Sequence, residues 1–101
     1  MSEEKKILDQ NTYMMYKGKP LVREEDTICY GDLQNDSCVL ILEIMKYRDE
    51  GGQKVPDKVL IQVVDSHNQS NILQQGVKGS LYEAFDLGET WLNLQLKKAE
   101  A

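Results

Sequence analysis

The only histidine in the chain, His67, lies in a polar stretch, Ser66-His67-Asn68-Gln69-Ser70, with Asp65 as the nearest carboxylate in sequence. A catalytic imidazole needs a nucleophile and an orienting acid within hydrogen-bond reach. A single aspartate two residues away in a loop gives no specific sign of either, so His67 reads as a solvated loop residue. Cys29 and Cys38 lack the basic setting that would activate a thiolate. Two cysteines are too few for a disulfide framework, and they read as reduced thiols. One histidine and two cysteines do not match the ligand spacing of a zinc site. Asp32-Leu33-Gln34-Asn35-Asp36 is rich in oxygen ligands but lacks the alternating ligands, glycine and distal glutamate of a calcium loop. Ser66 and Ser80 are explained by a turn and a helix cap. The sequence therefore predicts no catalytic residue, metal or cofactor, and no enzyme.

Two groups of residues offer binding chemistry instead. Lys17, Lys19 and Arg23, with Tyr13, Tyr16 and Tyr30 close by, combine cations with rings on which single-stranded nucleic acid can stack. Gly76-Val77-Lys78-Gly79 precedes a helix, where backbone amides can meet an anion. Binding a small anionic ligand or a single strand, through that loop or the Lys17/Lys19/Arg23 corner, is the alternative function. Glu24-Glu25-Asp26 beside the corner and a net charge of −5 both oppose a phosphate backbone, so nucleic acid is not the expected partner.

The elements that must position these groups centre on Cys38–Asp65. Two apolar, β-branched arms flank Gly51-Gly52, and a two-residue hairpin turn of this kind needs positive φ twice. With that turn, Leu40 opposes Val63, Leu42 opposes Ile61 and Ile44 opposes Val59, giving one wholly apolar face. Further out, Met45 is expected to oppose Lys58, Lys46 to oppose Asp57, and Tyr47 to oppose Pro56. A slip of one residue in either arm would exchange its faces and destroy the apolar match.

Three shorter strands are expected before this hairpin, at residues 12–16, 19–23 and 26–30. Met14 is expected to oppose Leu21, and Tyr13 to oppose Val22. A turn at Glu24-Glu25 places Ile28 beside Leu21. The stretch 66–79 reads as a long connection, partly held down by Ile72, Leu73 and Val77. Ser80 then opens an amphipathic helix of roughly 18 residues, with Ser80 and Glu83 as a capping box. Leu81, Phe85, Leu92 and Leu96 share its inner side. Gly88 on that side predicts a close approach to the sheet. The fold class is thus α+β: a five-stranded antiparallel β-meander with one C-terminal amphipathic helix packed on one face. Residues 1–10 read as a flexible charged tail and 11–101 as a single domain.

A hydrophobic content of 41% fits such a domain and argues against wholesale disorder. No apolar run approaches the roughly 20 residues of a membrane helix. The opening Met-Ser-Glu-Glu-Lys-Lys lacks a signal peptide's apolar stretch, so the expected address is cytoplasmic, away from the membrane. More apolar surface is present than one helix and one sheet face can bury. Leu87, Trp91 and Leu94 widen the helix stripe, and Val39, Ile41, Met45 and Tyr47 lie on the hairpin's other face. These seven residues are the expected interaction surface of a small non-catalytic module with a protein partner or a second copy of itself.

Overall fold

The structure, a computed structural model, describes residues 12–100. The stretch 1–10, expected as a charged tail, lies outside the described residues. Six strands follow one another in sequence order across a single antiparallel sheet: β1 (Thr12–Tyr16), β2 (Lys19–Glu24), β3 (Thr27–Tyr30), β4 (Cys38–Glu50), β5 (Gln53–Asp65) and β6 (Ile72–Lys78). The helix α1 (Leu81–Glu100) closes the fold. The architecture is α+β with an antiparallel sheet and one C-terminal helix, but the sheet has six strands rather than five. The additional strand lies in the stretch expected to be a connection, where Ile72–Lys78 pairs with β5.

The β4–β5 register follows the apolar alternation. Leu40 opposes Val63, Leu42 opposes Ile61 and Ile44 opposes Val59, and Gly51 and Gly52 take φ of 59° and 83° at the turn. Beyond Ile44 the pairing departs from expectation: Lys46 opposes Lys58, with register shifts on either side of that pair. Met45 on one strand and Asp57 on the other are the extra residues of two successive bulges. The second shift cancels the first, so Tyr47 still opposes Pro56. Beyond Glu43 on β4 and Val59 on β5 no third strand among the described residues pairs with the hairpin, which continues as a two-stranded arm. Ion pairs decorate this arm: Arg48 with Glu50 at 2.8 Å and Asp57 at 3.1 Å, and Lys54 with Asp49 at 2.9 Å.

β1 pairs with β2 as expected, with Met14 opposite Leu21 and Tyr13 opposite Val22. The β2–β3 register is two residues from the expected one, with Tyr30 rather than Ile28 opposite Leu21. The turn is made by Glu25 and Asp26, with Glu25 at a φ of 52°, rather than by Glu24 and Glu25. An even shift keeps every side chain on its own face. Leu21, Ile28 and Tyr30 therefore join Leu40, Leu42, Ile44, Val59, Ile61 and Val63 in one core under the helix.

The helix begins as its sequence dictates. The Glu83 amide donates to Ser80 Oγ at 3.2 Å, and the Ala84 amide donates to the Ser80 carbonyl. Leu81, Ala84, Phe85 and Leu92 are buried against the sheet. Gly88 sits between them at the point of closest approach. A Cβ there would stand 2.6 Å from Leu40 Cδ1 and 3.2 Å from Ile61 Cγ2. At one side of the helix Tyr16, Tyr30 and Phe85 meet edge to face, with ring centroids 5.3 to 5.9 Å apart.

Gly88→Ala sets two effects against each other. Alanine favours the helix by about 1 kcal/mol, whereas forcing a methyl into a filled core costs about 1–3 kcal/mol. Leu40 and Ile61 are fully buried and have little room to yield, so a net destabilisation of about 1 kcal/mol is expected in urea denaturation. A gain in stability would show that the helix can lift off the sheet.

Candidate interaction surfaces

One face of the sheet lies under α1, and the opposite face carries its own rows. Tyr13, Val22, Cys29, Ile41, Gln62 and Gln75 oppose one another in succession, one from each strand. Val22, Cys29 and Ile41 are half-buried, while Tyr13 at the β1 edge is 72% exposed. At the other end the row becomes polar, where Gln62 Nε2 donates to Gln75 Oε1 at 3.4 Å. The neighbouring row runs Glu24, Thr27, Glu43, Leu60 and Val77. Val22, Glu24, Thr27 and Cys29 line a shallow depression of about 110 Å³.

The four hairpin residues expected on this surface differ in how much they present. Met45, at the first bulge, is 56% exposed. Ile41 is half-buried. Val39 is fully buried beneath the Gly31 backbone, where an added Cβ would stand 2.9 Å from Val39 Cγ1. Tyr47 packs at the margin of the core, and its hydroxyl donates to Asp26 Oδ1 at 2.6 Å. Burial and the Asp26 carboxylate raise the Tyr47 pKa, and Arg23 nearby opposes them.

The helix flank faces β6. Trp91 lies across that strand, its Cη2 2.7 Å from where a Gly76 Cβ would be. Leu87 is half-buried and Leu94 is 51% exposed. Lys78, Glu83, Asp86, Leu87 and Thr90 line an open groove between this flank and the end of β6. The sequence alone places Gly76 in a loop. A glycine between two glutamines carries no strand signal, and its purpose is visible only once the indole above it is in place.

The residues whose side chains could do chemistry are dispersed. His67 is exposed, and its amide donates to Asp65 Oδ1 at 2.8 Å, a turn of the kind aspartate favours. Cys29 and Cys38 are both free, and burial raises both thiol pKa values, away from thiolate reactivity. Among the described residues no three of His, Cys, Asp and Glu are grouped so as to hold a metal ion. Asp32 accepts from the Gln34 and Asn35 amides and the Asn35 side chain, and these bonds hold its carboxyl below the usual range. Lys17 pairs with Glu89 at 3.2 Å, and Lys19 with Asp36 at 2.8 Å. Arg23 is 3% exposed on the core side of the sheet, and its Nε donates to the Glu25 carbonyl at 2.9 Å. The three cations thus do not converge on one open surface. Gly76 to Lys78 belong to β6 rather than to a loop. Among the described residues no helix is long and apolar enough to cross a membrane.

An open cleft borders the aromatic cluster, lined by Tyr16, Lys17, Tyr82, Glu83, Phe85 and Glu89 among others. The Lys17 ammonium sits 5.3 Å from the Tyr16 ring centroid, and its bond to Glu89 raises its pKa. Comparisons with known protein families, with curated proteins and with solved structures find no match to this chain.

The Tyr30 hydroxyl donates to the Tyr16 carbonyl at 2.8 Å. Burial, reinforced by Glu89, Tyr16 and Asp36, pushes its pKa up to about 12. An unfolded tyrosine ionises near 10. Between these values the folded protein keeps a proton that the unfolded chain has lost. The contribution is complete below about pH 10 and is lost as pH rises to about 12. Tyr30→Phe removes this dependence, at a cost of about 1 kcal/mol near neutrality for the lost hydrogen bond. Urea midpoints of the two proteins should draw together above pH 10 and cross before pH 12. A constant gap would mean that Tyr30 ionises equally in both states.

Proposed function

We propose that this protein is a small non-catalytic interaction module that associates with a second copy of itself. The observation that supports this reading is the exposed apolar surface left after folding. One helix covers one sheet face, while Tyr13, Met15 and Met45 stand exposed around half-buried Val22, Cys29 and Ile41 on the other, and Leu94 projects from the helix flank. Monomeric proteins rarely expose large contiguous apolar patches, and Tyr, Trp and Met are residues that interfaces favour. The dispersal of His67, Cys29, Cys38 and the basic residues fits a role in binding rather than chemical conversion. The cytoplasm is the compartment that suits two unpaired thiols.

Sedimentation velocity across a concentration series tests this directly. The expected outcome is a monomer–dimer equilibrium at micromolar concentration, accompanied by a change in fluorescence of Trp91, the only tryptophan. A single monomeric species up to millimolar concentration, with unchanged Trp91 emission, would remove the basis of the reading.

A further inference from the structure

We infer that the second copy docks along the outer edge of β6, joining two six-stranded sheets into one through a two-fold axis near Gln75. This inference rests on the self-association proposed above and specifies its geometry.

β6 is the terminal strand of the sheet, so among the described residues no strand neighbours its outer row of backbone amides and carbonyls. Proteins protect such edges with charges, prolines, bulges or very short strands. β6 runs for seven residues, contains no proline, bears a single charge, Lys78, at its end, and has its one bulge at Leu73, so that Gln74 to Lys78 keep a regular register. On the face away from the helix, Val77 is 49% exposed, and Leu73, the extra residue of a bulge against β5, is 40% exposed beside it.

The strand is also complementary to itself. A two-fold axis perpendicular to the sheet keeps each face continuous, so opposed residues must come from the same face. With Gln75 on the axis, Leu73 opposes the partner's Val77 and Val77 opposes the partner's Leu73. Two apolar pairs then flank a central pair of glutamines. On the helix side, the stripe that contains Trp91 at steps of three and four residues runs Glu83, Leu87, Trp91, Leu94, Lys98. It is acidic at one end, apolar in the middle and basic at the other. The same axis sets the two helices antiparallel and brings Glu83 toward the partner's Lys98. The stripe has its centre near Trp91, which lies over Gly76, the residue next to the axis. Strand and helix thus share one symmetry centre, the arrangement an isologous interface requires. The main-chain bonds are those of an added strand.

Leu73→Lys/Val77→Lys places four charges in the interface while altering two side chains already exposed in one chain. The expected result is dimerisation weakened at least tenfold with an unchanged circular dichroism spectrum, whereas Gln53→Lys, at the exposed tip of the hairpin arm, leaves the dimer intact. In a second experiment, Gln75→Cys in a Cys29→Ser background is oxidised in air. A disulfide-linked dimer with native melting behaviour is expected, because the two thiols face each other across the axis. A wild-type dimer that survives the two lysines, or that Gln53→Lys dissociates instead, overturns the edge geometry while leaving self-association standing. A wild-type protein that never dimerises overturns both.

Discussion

Everything in this fold is arranged on the apolar ladder between β4 and β5. Leu40, Leu42 and Ile44 opposite Val63, Ile61 and Val59 form a continuous surface from which water is excluded. Strands β1 to β3 extend it on one side, β6 extends it on the other, and the helix lies over the middle. A shift of one residue in the hairpin would turn these six side chains away from the helix together. The register is therefore held by the core, and the Gly51-Gly52 turn starts what the core enforces.

Much of this was legible before the structure, for identifiable reasons. The hairpin could be read because alternation and turn chemistry agreed on one answer. The helix could be read because Ser80, Glu83 and the apolar spacing marked its start and its inner face. Where the sequence misled, the constraint was weak. Past Ile44 most residues are polar on both strands and only Tyr47 reaches the core margin, so little distinguishes one register from another and the paired bulges at Met45 and Asp57 leave no trace in the pattern. The β2–β3 turn was misplaced because Glu25 adopts a positive φ that glutamate seldom takes. The error was even, and the core list survived it. β6 was missed because its inward residues are Gln74 and Gly76, which show no apolar alternation.

The candidate surface was legible in part. Alternation sends Val39 and Ile41 away from the helix-covered face but does not show what passes above them, and Tyr47, expected beside them, packs against the core. Val39 lies under Gly31, a contact between a loop and a strand that no local pattern announces. Trp91 was marked as excess apolar surface, and half of its account is internal, since it forms the roof over β6. The basic corner failed to assemble for a related reason. Alternation sends Arg23 to the core side, and folding brings Glu89 to Lys17 and Asp36 to Lys19 from distant parts of the chain.

The two close approaches, Gly88 above Leu40 and Gly76 beneath Trp91, have a mechanical meaning when taken as a pair. In the first the notch is on the helix and the tooth on the sheet; in the second the roles are exchanged. Sliding the helix by one turn would set Ala84 or Leu92 on the Leu40 tooth, and rolling it about its axis would lift the indole out of its slot. Each interlock blocks the motion that the other leaves open. The single helix is therefore keyed to the sheet like a part with two wards, and its outward stripe is presented at a fixed height and angle to whatever approaches along β6.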